Sequence, residues 1–346
     1  MLKVCKKEDN KRIPIKEQER KEGNTPYFGA NGIQGYIDGY THDGTNILIA
    51  EDGANNVRNY PIKLITGKIW VNNHAHVLKV NTKTNNGNFL VGAIKKINFY
   101  RYLVGSSRYK LTAESLNQVK IKIAKQSEQE KIGKLLKNIE KLLTLYEMKK
   151  QLLTQLKQGI VNFLITKNGQ NPQLRFSGFN NNWENKSFKK LLNYEQPTKY
   201  IVKKVDYISQ GTPVLTANKS FILGYTNETN VYQNIPAIIF DDFTLESKYV
   251  DFPFMVKSSA IKILTSKNSN LFFIYQLLNN QEFVQEGHSR HYISVVQKKK
   301  VLVPSIQEQN KIGNLIKQLE NNIEQNSDII ALLKSLKEFL LQNMFL

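Results

Sequence analysis

Glu128-Gln129-Glu130-Lys131-Ile132-Gly133 returns as Glu308-Gln309-Asn310-Lys311-Ile312-Gly313, an offset of 180 residues that then holds without a gap. Leu135 falls on Leu315, Glu140 on Glu320, Leu152-Leu153 on Leu332-Leu333 and Leu156-Lys157 on Leu336-Lys337. A repeat of this length means two copies of one structural unit. Upstream the copies drift by a few residues but stay recognisable. Thr25-Pro26 answers Thr212-Pro213, Ala30-Asn31 answers Ala217-Asn218, and Gly35-Tyr36 answers Gly224-Tyr225. Gly105-Ser106-Ser107-Arg108 answers Gly287-His288-Ser289-Arg290. Each copy therefore reads as a variable globular region followed by a long helix.

The helices follow from apolar spacing. Ile132, Leu135, Ile139, Leu142 and Tyr146 open a three-four seam that continues through Lys149, Leu153, Leu156, Ile160 and Phe163. Its second copy runs through Ile312, Leu315, Leu319, Asn322, Asn326, Ile329, Leu333, Leu336, Leu340 and Asn343. That is coiled-coil spacing, with Asn322 and Asn326 as polar positions that fix register. The apolar Leu136, Leu143, Leu152 and Leu164 then fall off the seam and are free to meet partners. Pro304-Ser305 marks the entry to the second helix, and the run Asn168-Gly169-Gln170-Asn171-Pro172 ends the first.

The globular regions carry short β-branched runs, Asn46–Ala50, Trp70-Val71, Ala237–Phe240 and Ala260–Leu264, separated by Gly, Asn and Asp. Short helices are expected over Asn88–Ile97 and Asn270–Leu278. The expected class is α+β: two mixed α/β domains separated by two long antiparallel coiled-coil helices, with a pseudo-twofold internal repeat. The divisions are residues 1–126, 127–167, 168–304 and 305–346.

Composition narrows the chemistry. Lys and Arg number 49 against 29 Asp and Glu, a net charge of +20, and the excess is spread along the chain rather than held in a tail. Such a surface attracts polyanions, of which nucleic acid is the commonest. A basic drift without function is the competing reading. The single cysteine, Cys5, excludes an internal disulfide or a cysteine-based zinc site. No stretch reaches 18 apolar residues and the N-terminus lacks a signal-peptide shape, so a cytoplasmic protein is expected.

With order and duplication established, the residues resemble a known family. Pro26–Ile37, Ile49–Asn55, and Gly105–Leu111 followed by Glu128–Ile132 resemble the target-recognition domain and helix entry of type I restriction–modification specificity subunits. Leu174-Arg175-Phe176-Ser177-Gly178-Phe179 with Trp183-Glu184 is similar to the lead-in of a second such domain. The resemblance implies a subunit that binds double-stranded DNA with a bipartite target. Each domain reads one part, and the helices act as a ruler between the parts. The helices also dock two methylation subunits, through which restriction subunits join. It also implies a lead-in before the first domain, whereas Met1 already lies inside the match, an expectation that the first domain starts late.

DNA readers use Asn and Gln on adenine, Arg on guanine, and Lys or Ser on phosphate. The candidates in the first copy are Asn31, Asn55, Asn56, Arg58, Asn72, Asn73, His74, His76, Arg108 and Lys110. In the second they are Asn218, Lys219, Lys248, Lys257, Ser258, Ser259, His288, Arg290 and His291. For each, a solvated surface residue is the rival reading. Arg108 and Arg290 stand out because their Gly-x-Ser-Arg turn recurs, and Gly105 and Gly287 would let backbone approach DNA closely.

Other chemistries find little support. His42, His74 and His76 lack suitably spaced carboxylate or Cys partners for a metal. Asp241-Asp242 with Glu246 and Lys248 imitates a metal-dependent nuclease, but the spacing is short and the first copy has no equivalent. No S-adenosylmethionine loop, Asn/Asp-Pro-Pro-aromatic motif or ATP loop is present. The expectation is a non-catalytic chain without cofactor or metal. A stand-alone nuclease and a coiled-coil scaffold with incidental charge are the alternatives.

Overall fold

The computed structural model describes residues 4–57, 59–105, 109–167, 171–218, 220–284 and 290–345. It divides into two units, residues 1–148 with 327–346, and residues 149–326. The division passes within both long helices.

The first unit runs β1 (Cys5–Lys7), β2 (Thr25–Gly29), β3 (Gly32–Ile37), β4 (Thr45–Ala50), β5 (Ile62–Thr66), β6 (Trp70–Val71) and β7 (Ala75–Val80). Then come α1 (Gly87–Lys95), β8 (Leu103–Val104), β9 (Lys110–Leu111), α2 (Ala113–Gln118) and the start of α3 (Gln126–Leu164). An antiparallel sheet has the order β1-β7-β4-β5, and a second has the order β3-β2-β6. Ile47 and Ile49 of β4 face Phe89, Leu90 and Ile94 of α1, while Leu48 faces Phe28, Val71 and Val77. The strand is buried on both faces, which is why its sequence is a continuous apolar run rather than an alternation.

The second unit repeats this plan. It contains β10 (Glu184–Ser187), α4 (Phe188–Leu191), β11 (Asn193–Glu195), β12 (Thr212–Leu215), β13 (Ile222–Thr226), β14 (Ala237–Asp241) and β15 (Ser247–Val250). After them come β16 (Met255–Val256), β17 (Ile261–Thr265), α5 (Leu271–Asn279), β18 (Lys300–Val303) and the start of α6 (Ile306–Asn343). The sheets have the orders β11-β17-β14-β15 and β13-β12-β16. The matched pairs of the repeat occupy matched registers: Pro26 lies opposite Tyr36, and Pro213 opposite Tyr225. The two expected short helices form as α1 and α5, shifted by a residue or two.

The helix-entry motif has a structural reason. Gln129 Oε1 accepts the backbone N–H of Asn86, the N-cap of α1, at 3.0 Å, and its Nε2 donates to Ala124 O at 2.9 Å. Gln309 does the same for Asn270 and Pro304, at 3.0 and 2.9 Å. Gly133 and Gly313 leave room for those capping asparagines: a Cβ on Gly313 would stand 2.8 Å from Asn270 Oδ1.

In each unit the long helices pair antiparallel. Glu140 meets Lys337 at 2.6 Å and Glu147 meets Lys334 at 3.0 Å in the first unit. Lys157 meets Glu320 at 2.5 Å in the second. Lys157 and Lys337 are repeat mates, as are Glu140 and Glu320, so the same ion pair is built twice with the copies exchanged.

The seam needs correction. Ile132, Leu136, Ile139 and Leu143 are buried in the first half of α3, whereas Leu135 and Leu142 are exposed. In α6, Ile312, Ile316, Leu319, Asn326 and Ile330 are buried, while Asn322 and Leu336 are exposed. At several expected seam positions, among them Leu135, Leu142, Leu315 and Ile329, the next residue is the more deeply buried one. Paired leucines at 135/136 and 142/143 satisfy three-four spacing in either register; packing of Leu136 against α1 and of Leu143 against Ile330 of α6 selects the second. Leu136, Leu143 and Leu164 are therefore core residues, and of that group Leu152 alone is exposed. Among the described residues no helix is long and apolar enough to cross a membrane.

Candidate nucleic-acid interface

The end of the first unit where β4 stops collects four loops. The β2–β3 turn brings Asn31, the segment after β4 brings Glu51 to Asn56, the β6–β7 turn brings Asn72 to His74, and β9 brings Lys110. They are tied by backbone bonds: Glu51 N donates to His74 O at 2.8 Å, Asn72 N to Phe28 O at 3.0 Å, and Leu111 N to Glu51 O at 2.7 Å. Asn55, Asn73 and Lys110 are exposed there and His74 half-exposed. Asn56 is also exposed, with its Oδ1 accepting Asn59 N at 2.8 Å. His74 Nδ1 sits 2.5 Å from Asp52 Oδ1, and Lys110 Nζ 3.1 Å from Glu51.

Other candidates are placed differently from the sequence expectation. Asn31 Nδ2 donates to Gly53 O at 2.9 Å and its Oδ1 accepts Asn55 N at 3.0 Å, so its amide positions the neighbouring loop. Asn72 is buried, with Nδ2 donating to Gln34 and Oδ1 accepting His74 N. His76 is 1% exposed and turns inward to Asp9 Oδ2 at 2.7 Å and Leu111 O at 2.8 Å. Neither Asn72 nor His76 is on a surface that DNA can reach, and both are corrected to structural roles. The alternation of His74 and His76 across β7 does not put them on one exposed face: His74 precedes the strand and leaves the sheet.

The second unit builds the same edge. Asn218 follows β12, Lys257, Ser258 and Ser259 form the β16–β17 turn, and Arg290 precedes the segment that seals β14; all five are exposed. Lys257 N donates to Leu215 O at 3.1 Å, Asp242 N to Ala260 O at 3.0 Å, and His291 N to Asp242 O at 3.1 Å. Lys248 is half-buried on β15 opposite Ile239. His291 is 1% exposed, with Nδ1 3.2 Å from Asp242 O, and is likewise corrected to a core residue. Arg58, Arg108, Lys219 and His288 lie outside the described residues.

Sequence reading missed the charged residues beneath these loops. Arg12 Nη1 reaches Glu51 Oε2 at 2.6 Å and Ala75 O at 3.0 Å. Burial pushes the Glu51 carboxyl upward, but Arg12, Lys110 and His76 outweigh it and hold the group below its usual range. In the second unit Lys262 Nζ lies 3.2 Å from Asp242 Oδ2, both fully buried. Lys262 also donates to Ser259 O at 3.0 Å, fixing the turn above it. A Lys inside a strand gives no warning of burial, since Lys is mostly exposed.

The nuclease-like residues are spoken for. Asp241 Oδ1 accepts the N–H groups of Phe243 and Thr244 at 2.9 and 3.0 Å, closing a turn. Asp242 holds Lys262 and accepts Tyr292 N at 2.7 Å, while Glu246 is exposed. Among the described residues no group of three or more His, Cys, Asp or Glu is arranged to hold a metal ion.

Known proteins carry the same pattern. The profile described as type I restriction modification DNA specificity domain matches twice, over residues 3–158 and 180–335. A putative type I restriction enzyme specificity subunit of Haemophilus influenzae, S.HindORF215P, is 46% identical over 128 residues, 37% of this chain and 33% of that protein. The EcoR124I/EcoR124II specificity subunit of Escherichia coli is 51% identical over 123 residues, 33% of this chain and 30% of that protein. These matches span about a third of each relative's length. The crystal structure of a type I restriction–modification S subunit from M. genitalium shares the fold, with a TM-score of 0.78 over 99% of this chain and 94% of that one at 15% identity. The chain belongs to the type I restriction modification DNA specificity domain family and carries that domain twice.

Proposed function

We propose that this chain is the sequence-specific DNA-binding subunit of a type I restriction–modification complex. Residues 1–126 and 168–304 form two target-recognition domains, each reading one part of a bipartite double-stranded target. Residues 127–167 and 305–346 form the helices that carry them. The observation behind this reading is the loop edge built twice, once in each unit, from Asn, His and Lys side chains in one and Asn, Lys, Ser and Arg in the other. A net charge of +20 supplies the sequence-independent attraction to phosphate.

The chain binds and leaves the chemistry to partners. Exposed Leu142, Leu145 and Met148 on α3 with Leu332, Leu336 and Phe339 on α6 offer apolar surface in the first unit, and Leu152, Leu156 and Phe163 offer it in the second. Apolar surface of this extent marks contact with other proteins. We assign it to two methylation subunits, through which restriction subunits join in the cytoplasm.

Co-expression with a type I methylation subunit in a methylation-free host, followed by mapping of modified adenines, tests the reading. A new motif of two defined parts around a fixed gap is the expected outcome. A soluble complex that leaves the genome unmethylated would contradict it.

A further inference from the structure

The hairpins beside the two candidate recognition edges share one irregularity. In the first unit the register shifts between Tyr27 and Phe28: Tyr27 lies opposite Gly35 and Phe28 opposite Ile33, so Gln34 is the extra residue. In the second it shifts between Val214 and Leu215: Val214 lies opposite Gly224 and Leu215 opposite Ile222, so Leu223 is the extra residue. The glycine after each bulge has a positive φ, 148° at Gly35 and 158° at Gly224, where a side chain would be strained. Bulges of this kind re-aim side chains beside functional sites.

What they leave uncovered here is apolar. Phe28 and Leu215 are 3% and 0% exposed, but Ile33 and Ile222 opposite them are 52% and 41% exposed. A single exposed isoleucine is ordinary on a protein surface. Here the same residue recurs at the same register beside the same bulge, although the connections differ: Ala30-Asn31 links the strands in the first unit and residues 216–221 in the second.

Both isoleucines stand at the candidate edges. The Phe28 carbonyl accepts Asn72 N at 3.0 Å, from the loop that carries Asn73 and His74, and the Leu215 carbonyl accepts Lys257 N at 3.1 Å. Gln34 Oε1 accepts Asn72 Nδ2 at 3.1 Å, which ties the first bulge to the same loop. β3 and β13 are the outer strands of their sheets, so each hairpin presents a two-stranded ribbon.

We propose that Ile33 and Ile222 are specificity residues, each in apolar contact with the C5-methyl group of one thymine in its own half-site. This rests on the reading of the chain as a bipartite DNA reader. The major groove admits a two-stranded β-ribbon, and the thymine methyl is the apolar group on its base edges. An isoleucine side chain makes no hydrogen bond, so that methyl is the base feature it can distinguish. Any part of the target methylated at adenine holds a thymine opposite that adenine, so it offers a methyl to remove.

The chain in complex with its methylation subunits is titrated with duplexes of the methylation-mapped target in which one thymine at a time is replaced by uracil, the same base without the methyl. Preference of the parent complex for the unaltered target over a scrambled duplex is the control; its absence would overturn the DNA-reading assignment and this proposal with it. Given that preference, one uracil in each half-site is expected to weaken binding about three- to tenfold. Ile33→Ala should abolish the uracil effect in one half-site and keep it in the other, and Ile222→Ala should do the reverse. Ile33→Val, still apolar, should retain the effect. The uracil scan on the parent needs no variant, so a poorly folding substitution cannot hide the answer. Indifference of the parent to every uracil overturns the proposal while leaving the DNA-reading assignment intact, as does a uracil loss of the same size in both alanine variants.

Discussion

Lys262 lies opposite Phe240 on the sheet of the second unit, at the register where His76 lies opposite Ile49 in the first. Both side chains are 1% exposed, and both face a carboxylate just past the central strand: Asp242 at 3.2 Å and Glu51 at 3.7 Å. Each unit thus sets a basic side chain against a carboxylate beneath its candidate recognition loops. Removing one partner of such a pair strands the other charge away from water. Lys262→Met is expected to cost about 3–5 kcal/mol, and adding Asp242→Leu to recover a large part of it. Urea denaturation of both single variants and the double variant checks this; simple addition of the two losses would show that the residues are not coupled.

Gly133→Ala should destabilise the protein although alanine is normally the better helix residue by about 1 kcal/mol. The added Cβ would run into Asn86 Oδ1, an oxygen already held by the N–H groups of Asn88 and Phe89 as the cap of α1. The cap must yield, at about 0.5–2 kcal/mol beyond the helix gain. A melting temperature above that of the parent would contradict the packing.

The repeat and its long helices were legible because each rests on a signal spread over many residues. The strand β4 was legible too, in the β-branched run Asn46–Ala50. The seam register was not: Leu135 and Leu136 are chemically identical, and only contact with α1 distinguishes them. Asn31 and His76 show the same limit at the interface. An Asn in a turn reads equally as a base contact or a loop brace, and the brace depends on Gly53 and Asn55, far away in sequence. His76 sits inside because Asp9 and Leu111 supply its partners, and neither residue signals this locally.

Acid should loosen the first unit before neutral pH does. Asp9, Glu51 and Glu140 are all held below their ordinary values of 3.8, 4.5 and 4.5. Burial pushes each upward and is outweighed, at Asp9 by His76 and the Val77 N–H, at Glu51 by Arg12 and Lys110, and at Glu140 by Lys337 and Lys95. A carboxyl whose folded value is depressed contributes stability that is complete above its unfolded value and drains as pH falls through the folded one. These groups therefore add a stability loss that begins below about pH 4.5 and none between pH 6 and 8. Glu51→Gln should lower stability at pH 7 and flatten the acid slope, read from denaturation midpoints between pH 7 and 3. An unchanged slope would place the acid sensitivity elsewhere.

Arg290 and Asn31 separate contact from positioning at the two loop edges. Arg290 is exposed beside the Asp242 segment, so Arg290→Ala should weaken binding to one half-site by about 1–3 kcal/mol. The Asn31 amide bonds Gly53 and Asn55, so Asn31→Ala should act on the other half-site through a loosened loop. The two changes should also differ in salt response. A lost phosphate contact lowers the slope of log K against log salt by about 1, while a loosened loop leaves the number of neutralised phosphates nearly unchanged. Competition between duplexes altered in one half-site at a time, repeated across salt concentrations, resolves all four cases. Equal loss on both half-sites from either substitution would mean that the two units do not read DNA independently.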